Sequence, residues 1–443
     1  MNKKIHIKTW GCQMNEYDSL IITRTLQKNK YTITKIAEEA DILILNTCSI
    51  REKAQEKLFH QLGRWKKIKE KKPKLIIAVG GCVAAQEGKK IKLRAKYIDI
   101  IFGPRTLNLL PNMIQQISQK NNFVINIDSP KIIKKFNINL KNINKGIKTS
   151  ISIMEGCNKY CSFCIVPHTR GTEISRSHDS IISEILELSH NGTKEITLLG
   201  QNVNAYRGKN EYGEKCNFAN LIRYISLIKE IKRIRFITSH PVEFNEEIIN
   251  LYKEIPKLAS FLHLPVQSGS DKILKLMKRR HTIKEYKNII KKILKFRPNM
   301  QFSSDFIIGF PGETESDFNK TLNLVKEIKF DFSFSFIYSP RPETLASNFV
   351  NNTTLKEKKN RLNILQKQIL NQGRIWTKNM LNTKQKVLVE GYTKQKNNEF
   401  FGTTENNRTI YFNSDYNIIG KLVTVKIKNI YKNKILGKLY NKK

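Results

Sequence analysis

Short apolar runs alternate with amphipathic stretches along most of this chain, in two successive series, and that alternation leaves few folds open. In the first series "KIHIKTWGC", "DILILNTC", "KLIIAVGGC" and "YIDIIFGP" are strand candidates. "EYDSLIITRTLQKN", "REKAQEKLFHQLGRWKKIKE" and "NLLPNMIQQI" carry helical spacing among them. Strands alternating with helices predict a parallel sheet with helices on its faces. The second series starts near residue 150, with "SISIMEGC", "EITLLGQNV", "IRFITSHP", "FLHLPVQ", "FSSDFIIGFPG" and "FSFSFIY" as strands. Six β/α repeats in a row predict a partial TIM-type barrel, (β/α)6, left open. Its wide lateral mouth would admit a macromolecule.

At 443 residues the chain is too long for one ordinary core. The expected class is α/β in three units. A parallel-sheet α/β domain spans 1–118, the open barrel 143–375, and a small all-β barrel 376–441. Residues 121–147, rich in Asn, Lys and Ile and containing Pro130, read as a connector without clean periodicity. A long polar helix over roughly 355–380 leaves the central barrel. Beyond it "QKVLVEGYTK", "EFFGTTENNRTIYFNS" and "GKLVTVKIKNIYKNKILGKLY" alternate with period two and are broken by Gly and Asn, as short barrel strands are.

The formal net charge of +41 favours a polyanionic partner through phosphate attraction and counterion release. A compositional bias toward Lys, Asn and Ile produces the same excess, and stretches such as "WKKIKEKKPK" fit solvated helix faces. Residues 376–443 hold 14 Lys plus Arg against 4 Asp plus Glu. Phe400, Phe401, Tyr411, Phe412 and Tyr431 interleave with these bases, as in RNA-stacking surfaces, although a small barrel buries about half of its aromatics as core. No apolar run approaches the length that crosses a bilayer, and "MNKKIHIKTWGC" lacks the long apolar segment of a secretion signal. The expectation is a cytoplasmic protein without a membrane partner. In that reducing compartment clustered cysteines point to metal binding or catalysis.

Three first-series strands end in a cysteine: Cys12, Cys48 and Cys82. Carboxyl ends of neighbouring strands in an open α/β sheet share one crevice, so these three are predicted to converge on a metal site. Unrelated buried thiols are the alternative, since free cysteine packs as a small hydrophobe. Gly11, Gly80 and Gly81 beside them suit a backbone that must come close to something bulky. A second triplet, Cys157, Cys161 and Cys164 in "CNKYCSFC", follows the first barrel strand, where barrels of this kind carry their chemistry. With His168 it would complete a four-ligand zinc site, although Pro167 stiffens the chain there. Without His168 it would hold a four-iron cluster with one iron open to a substrate or cofactor. Spacing alone leaves both readings standing. Cys216, in the polar loop "EYGEKCNF", reads as a bystander.

C-x3-C-x2-C with Phe163 before the last cysteine resembles the signature of radical S-adenosylmethionine enzymes. "GCQMNEYDS", "NTCSIREKA" and "GGC" resemble the N-terminal domain of the methylthiotransferases within that group. "VPHTRGTEISR", "LHLPVQSGSD", "MKRRHT" and "DFIIGFPGET" resemble their catalytic barrel, and the basic C-terminal module their RNA-binding TRAM domain. Together these cover nearly the whole chain in the family's order. "NTCSIREKA", "TRGTEISR" and "TSHP" match the branch that acts on isopentenylated adenosine in tRNA.

The resemblance implies two 4Fe-4S clusters and S-adenosyl-L-methionine as cofactors. Cys157, Cys161 and Cys164 would hold the cluster that cleaves S-adenosylmethionine to a 5′-deoxyadenosyl radical. Cys12, Cys48 and Cys82 would hold an auxiliary cluster that carries the sulfur. The product would be a methylthio group on C2 of N6-isopentenyladenosine at position 37, in the anticodon arm. Candidate cofactor contacts are Phe163; Gly200, Gln201 and Asn202 in "LLGQNVN"; Gln267 and Ser268 after the fourth strand; and Gly309 after the fifth. Arg170, Glu173 and Arg176 are candidates for touching the cofactor or base, with an exposed ion pair as the plainer alternative. An electron donor such as flavodoxin or ferredoxin and a monomeric state are also implied; no catalytic acid or base is assigned. Alternatives are a methylthiotransferase acting on threonylcarbamoyl-adenosine or on a ribosomal protein, and a non-catalytic, zinc-containing RNA-binding protein.

Overall fold

The apolar run Ile42–Thr47 is buried along its whole length, because helices cover both faces of the sheet it crosses. The computed structural model describes residues 3–48, 52–120, 122–128, 130, 146–393, 398–432 and 434–440. Much of the expected connector 121–147, the start of the stretch "SIREKA", and the ends 143–145 and 441 of two expected domains lie outside these. The first unit runs β1 (Lys4–Trp10), α1 (Gln13–Lys28), β2 (Thr32–Ile33), β3 (Ile42–Thr47), α2 (Glu52–Lys71), β4 (Ile76–Gly81), α3 (Cys82–Glu87), α4 (Lys89–Arg94), β5 (Ile100–Phe102), α5 (Leu110–Lys120) and β6 (Val124–Asn126). All six strands are parallel, in the order β2-β1-β3-β4-β5-β6. The order reverses between β1 and β3, and ligands of such sheets bind beyond the carboxyl ends at that point.

Strand β6 falls inside the expected connector. "FVINI" is too short to establish a period, yet Phe123, Ile125 and Ile127 pack on one face of the sheet and hold it as a strand.

The second unit runs β7 (Lys148–Ser152), β8 (Met154–Glu155), α6 (Val166–Arg170), β9 (Ile174–Ser175), α7 (His178–His190), β10 (Glu195–Leu199), β11 (Arg207–Lys209), β12 (Lys215–Asn217), α8 (Phe218–Leu227), β13 (Arg233–Phe236), α9 (Glu246–Glu254), β14 (Phe261–His263), α10 (Asp271–Leu276), α11 (Ile283–Phe296), β15 (Gln301–Ile308), α12 (Glu315–Ile328) and β16 (Phe332–Ile337). Its six main strands, β7, β10, β13, β14, β15 and β16, are the six predicted. They form two parallel three-stranded sheets, β13-β10-β7 and β14-β15-β16, linked by a bridge between Ile234 and Leu258. Cys216 lies in the β11–β12 hairpin and is buried, in place of the polar loop expected.

Helix α13 (Leu355–Lys378), opened by a Thr354/Glu357 capping box, leads to β17 (Lys384–Tyr392), β18 (Glu399–Thr403), β19 (Thr409–Asn413), β20 (Leu422–Ile430) and β21 (Ile435–Leu439). These five strands close into a barrel in the order β17-β18-β19-β21-β20. Arg233 and Arg235, both held by Glu195 at 3.0 Å, donate to backbone oxygens of residues 403–405 in this barrel. That buried triad fastens the C-terminal unit to the central one. No helix among the described residues is long and apolar enough to cross a membrane.

Candidate active site

Cys12 opens α1 two residues past β1, Cys48 follows β3 directly, and Cys82 opens α3 after β4. The three strands are neighbours, so their carboxyl ends set the three thiols around the β1/β3 switch point. Gly11 and Gly81 permit this closeness. A Cβ on Gly11 would stand 2.4 Å from Cys48 Cβ, and one on Gly81 2.3 Å from the Thr47 carbonyl oxygen; both residues have positive φ, +140° and +91°. Beneath the thiols runs a buried polar network. The Cys12 thiol donates to Asn15 Oδ1 at 3.2 Å, and Asn46 Nδ2 donates to the Asn15 carbonyl at 2.9 Å and to Ser19 Oγ at 2.8 Å.

The second triplet sits in a loop bracketed by β8 and β9, which pair antiparallel. Cys157 N donates to the Gly171 carbonyl at 3.2 Å, and Cys164 N to the Cys161 carbonyl at 3.0 Å. Glu173 Oε1 accepts from Asn158 N at 3.1 Å and from Asn202 Nδ2 at 3.3 Å, tying this loop to the turn after β10. Gln201 Oε1 accepts from Gly156 N at 2.7 Å. Phe163 meets Phe310, ring centroids 6.5 Å apart and edge-on, which anchors the loop to the segment after β15.

Arg170 joins the two regions. It is 2% exposed, and its Nε lies 3.3 Å from Cys82 Sγ. Its Nη1 donates to Glu155 Oε1 at 2.9 Å and its Nη2 to Asp18 Oδ2 at 2.7 Å. Asp18 belongs to the first unit and Glu155 to the second, two residues before Cys157. The exposed ion pair offered as the plainer alternative is therefore wrong for Arg170. It is wrong for Arg176 too, which is buried against Glu184. Burial opposes the Arg170 charge, but Asp18, Cys82 and Glu155 raise its pKa well above the ordinary value. The hydrogen bond with Cys48, then the charge of Arg170, bring the Cys12 thiol down to about 6. Burial pushes Cys82 up, Cys157 up to about 11 and Cys164 up to about 12. Such thiols give up their protons when a metal takes the lone pair.

Arg279 is the counterpart at the second triplet: buried, with Nη1 3.8 Å from Cys161 Sγ. Its neighbours His240 and His281 stand 6.0 Å apart edge-on, both buried. Val242 N donates to His240 Nδ1 at 3.3 Å, and His281 Nδ1 donates to the Arg279 carbonyl at 3.1 Å. The Nε2 atoms of both rings, Asn202 Oδ1 and Arg279 Nε have no hydrogen-bond partner among the described residues. Buried polar atoms without a protein partner call for a water, an ion or a ligand.

The other expected contacts are turn residues with local duties. A Cβ on Gly200 would meet Met154 Cγ at 2.5 Å, and Gly309, at φ +67°, donates from its N–H to Glu313 Oε1 at 3.0 Å. Gln267 has φ +78° and bridges to β15 through Asp305 and Ile307, while Ser268 Oγ accepts from Ser270 N at 3.2 Å. His168, the fourth zinc ligand the spacing left open, is turned away: its Nδ1 faces Glu343 Oε2 at 3.3 Å. Among the described residues no three His, Cys, Asp or Glu side chains are gathered closely enough for a single metal ion. A four-iron cluster instead takes one thiolate per iron, at separate corners. Three thiols per site, a cation beside each set, glycine-lined backbone and unpaired buried polar atoms fit such clusters and a polar cofactor beside one of them.

Asp18, Asn46 and Arg279 were not singled out from the sequence, whereas Arg170 was, as a candidate for touching the cofactor or base. Asp18 on α1, Asn46 at the end of β3 and Arg279 just past α10 each lie inside a motif quoted above, and that placement was the available signal.

Residues 4–103 match the model of the uncharacterized protein family UPF0004, residues 151–325 that of the radical SAM superfamily, and residues 378–440 that of the TRAM domain. The chain is 59% identical over 437 residues to a tRNA-2-methylthio-N(6)-dimethylallyladenosine synthase of Buchnera aphidicola subsp. Baizongia pistaciae, covering 98% of each. It is 54% identical over 440 residues to one of Histophilus somni, covering 99% of this chain and 93% of that relative. Among solved structures, the radical S-adenosylmethionine methyltransferase TsrM from Kitasatospora setae, with cobalamin and a 4Fe-4S cluster bound, superposes with a TM-score of 0.54 at 13% identity. That match covers 78% of this chain and 77% of the other, and is a likeness of fold.

Proposed function

This chain belongs to the tRNA-2-methylthio-N(6)-dimethylallyladenosine synthase family, and from that membership we propose how its residues serve the reaction. It is a radical S-adenosylmethionine enzyme that adds a methylthio group to C2 of N6-isopentenyladenosine in tRNA, at position 37 beside the anticodon. Cys157, Cys161 and Cys164 hold one 4Fe-4S cluster, and Cys12, Cys48 and Cys82 hold the other. When bound, the clusters and S-adenosylmethionine supply the one-electron cleavage chemistry and the transferable sulfur. Asn202, His240 and His281 offer buried hydrogen-bond atoms to the cofactor or the base, while Gln201 and Glu173 keep the cysteine loop in place. Phe163, Gly200, Gln267, Ser268 and Gly309 shape the cofactor's walls. Arg170 fixes how the units that carry the two triplets sit against each other, through Asp18 in one and Glu155 in the other.

The observation that carries this reading is Arg170 itself: one guanidinium 3.3 Å from Cys82 Sγ also binds Glu155, next to the other triplet. The reading further includes a one-electron donor such as flavodoxin or ferredoxin, a monomeric chain and residence in the cytoplasm.

The test is nucleoside analysis of tRNA from a strain lacking the gene, complemented with wild type, Cys12→Ala or Cys157→Ala. Wild type converts N6-isopentenyladenosine to its 2-methylthio derivative, and neither variant does. A methylthio group appearing on threonylcarbamoyl-adenosine instead, or full activity in either variant, overturns the assignment.

A further inference from the structure

A groove of about 1350 Å³ runs between β16, α13 and the β20–β21 hairpin, away from both cysteine triplets. Its floor is the strand "FSFSF". Register sets Phe332, Phe334 and Phe336 on the face of Ser303, Asp305 and Ile307. The opposite face of β15, with Phe302, Phe306 and Ile308, belongs to the core. The three rings thus lie on the concave, open side of the barrel at its free edge, and Phe334 is 46% exposed. Tyr431, 58% exposed, lies across the groove on the C-terminal barrel. Phe334 and Tyr431 line one groove rather than standing singly, and a contiguous exposed apolar lining marks an interaction site.

The rim is cationic. Arg374 and Lys378 on α13 and Lys428 and Lys432 on the hairpin are all exposed, and none is paired with a carboxylate among the described residues. The one carboxylate lining the groove, Asp331, is already bound by Arg408. Aromatic rings between unpaired cations suit single-stranded nucleic acid, whose bases stack on the rings while its phosphates meet the cations of the rim. An acidic peptide would use the cations but not the rings.

We propose that this groove binds single-stranded RNA, taking unpaired nucleotides of the tRNA that flank the target adenosine. The inference rests on the tRNA reading above and assigns a surface to it. Strand β16 borders the barrel's open side, so a strand lying in the groove passes the lateral mouth through which a base enters.

The experiment is fluorescence anisotropy of the full-length holoprotein with a labelled 17-nucleotide anticodon stem–loop, across a salt series. Phe334→Ala is expected to weaken binding about tenfold. Lys428→Gln/Lys432→Gln is expected to flatten the slope of log affinity against log salt by about 1.4, from ~0.7 per cation on single strands. Both changes are at exposed positions and leave iron content unchanged. If wild type binds the stem–loop and both variants match it within twofold with the same salt slope, the groove is not an RNA site. The groove is likewise excluded if polyglutamate competes with the stem–loop equally well in wild type and in Phe334→Ala. If wild type itself fails to bind the stem–loop, the tRNA reading fails first and the inference falls with it.

Discussion

Replacing Arg170 by Met removes one cation from between two buried carboxylates. Asp18 and Glu155 have side-chain exposures of 1% and 0%, so water does not screen what is lost. Breaking a single buried pair by removing one partner costs about 3–5 kcal/mol. Two carboxylates share this guanidinium, which places the cost near the top, about 5 kcal/mol. That is a large part of the ~5–15 kcal/mol that holds a domain together. With a urea slope of about 3 kcal/mol per molar, the midpoint falls by roughly 1.7 M. Anaerobic urea unfolding followed by tryptophan fluorescence reads this, since Trp10 and Trp65 both pack in the first unit. The cause is separable from mere loss of packing. In Asp18→Asn/Glu155→Gln/Arg170→Met no charge is left buried, and more than half of the lost stability returns. A single variant within about 1 kcal/mol of wild type, or a triple variant no better than the single, refutes the reasoning.

Two other perturbations have definite outcomes. Glu195→Gln leaves Arg233 and Arg235 buried without their anion, so limited proteolysis releases the C-terminal barrel at protease levels that spare wild type; equal resistance contradicts the anchoring role. Asp317 is buried, yet hydrogen bonds from Ser270 and Thr314 outweigh burial and hold its carboxyl below the usual range. A depressed carboxylate contributes stability that is complete above its unfolded value near 3.9 and fades as pH falls through the lower folded value. Asp317→Asn therefore costs about 1–3 kcal/mol at pH 7 in urea unfolding, and its deficit narrows below about pH 4. A deficit that stays constant with pH excludes the carboxylate as its source.

The alternation of strands and helices was legible because it is local, as were the period-two strands of the last unit. The convergence of Cys12, Cys48 and Cys82 was legible for a related reason: a thiol at a strand's end needs only the strand order to find its neighbours. What could not be read came from contacts distant in sequence. Arg170 and Asp18 are 152 residues apart, and nothing local distinguishes a buried guanidinium from an exposed one. Strand β6 was missed because three residues carry no period, and only the sheet edge beside β5 makes them a strand. Cys216 read as a polar-loop bystander because its neighbours are polar, whereas the β11–β12 hairpin places it in the core of the central unit. The sequence marked "FSFSF" only as a strand, and it takes the register with β15 to put its three rings on the face opposite the core residues Phe302, Phe306 and Ile308.

The proposed function places two separate clusters, one on each cysteine triplet. The measurement that tests this most directly is iron, sulfide and zinc content of anaerobically purified protein. Wild type would be set beside the Cys157→Ala/Cys161→Ala/Cys164→Ala and Cys12→Ala/Cys48→Ala/Cys82→Ala variants. About eight irons per wild-type chain and about four in each variant are expected, with matching sulfide. Zinc without sulfide, or one triple variant losing all of its iron while the other keeps the full complement, contradicts it.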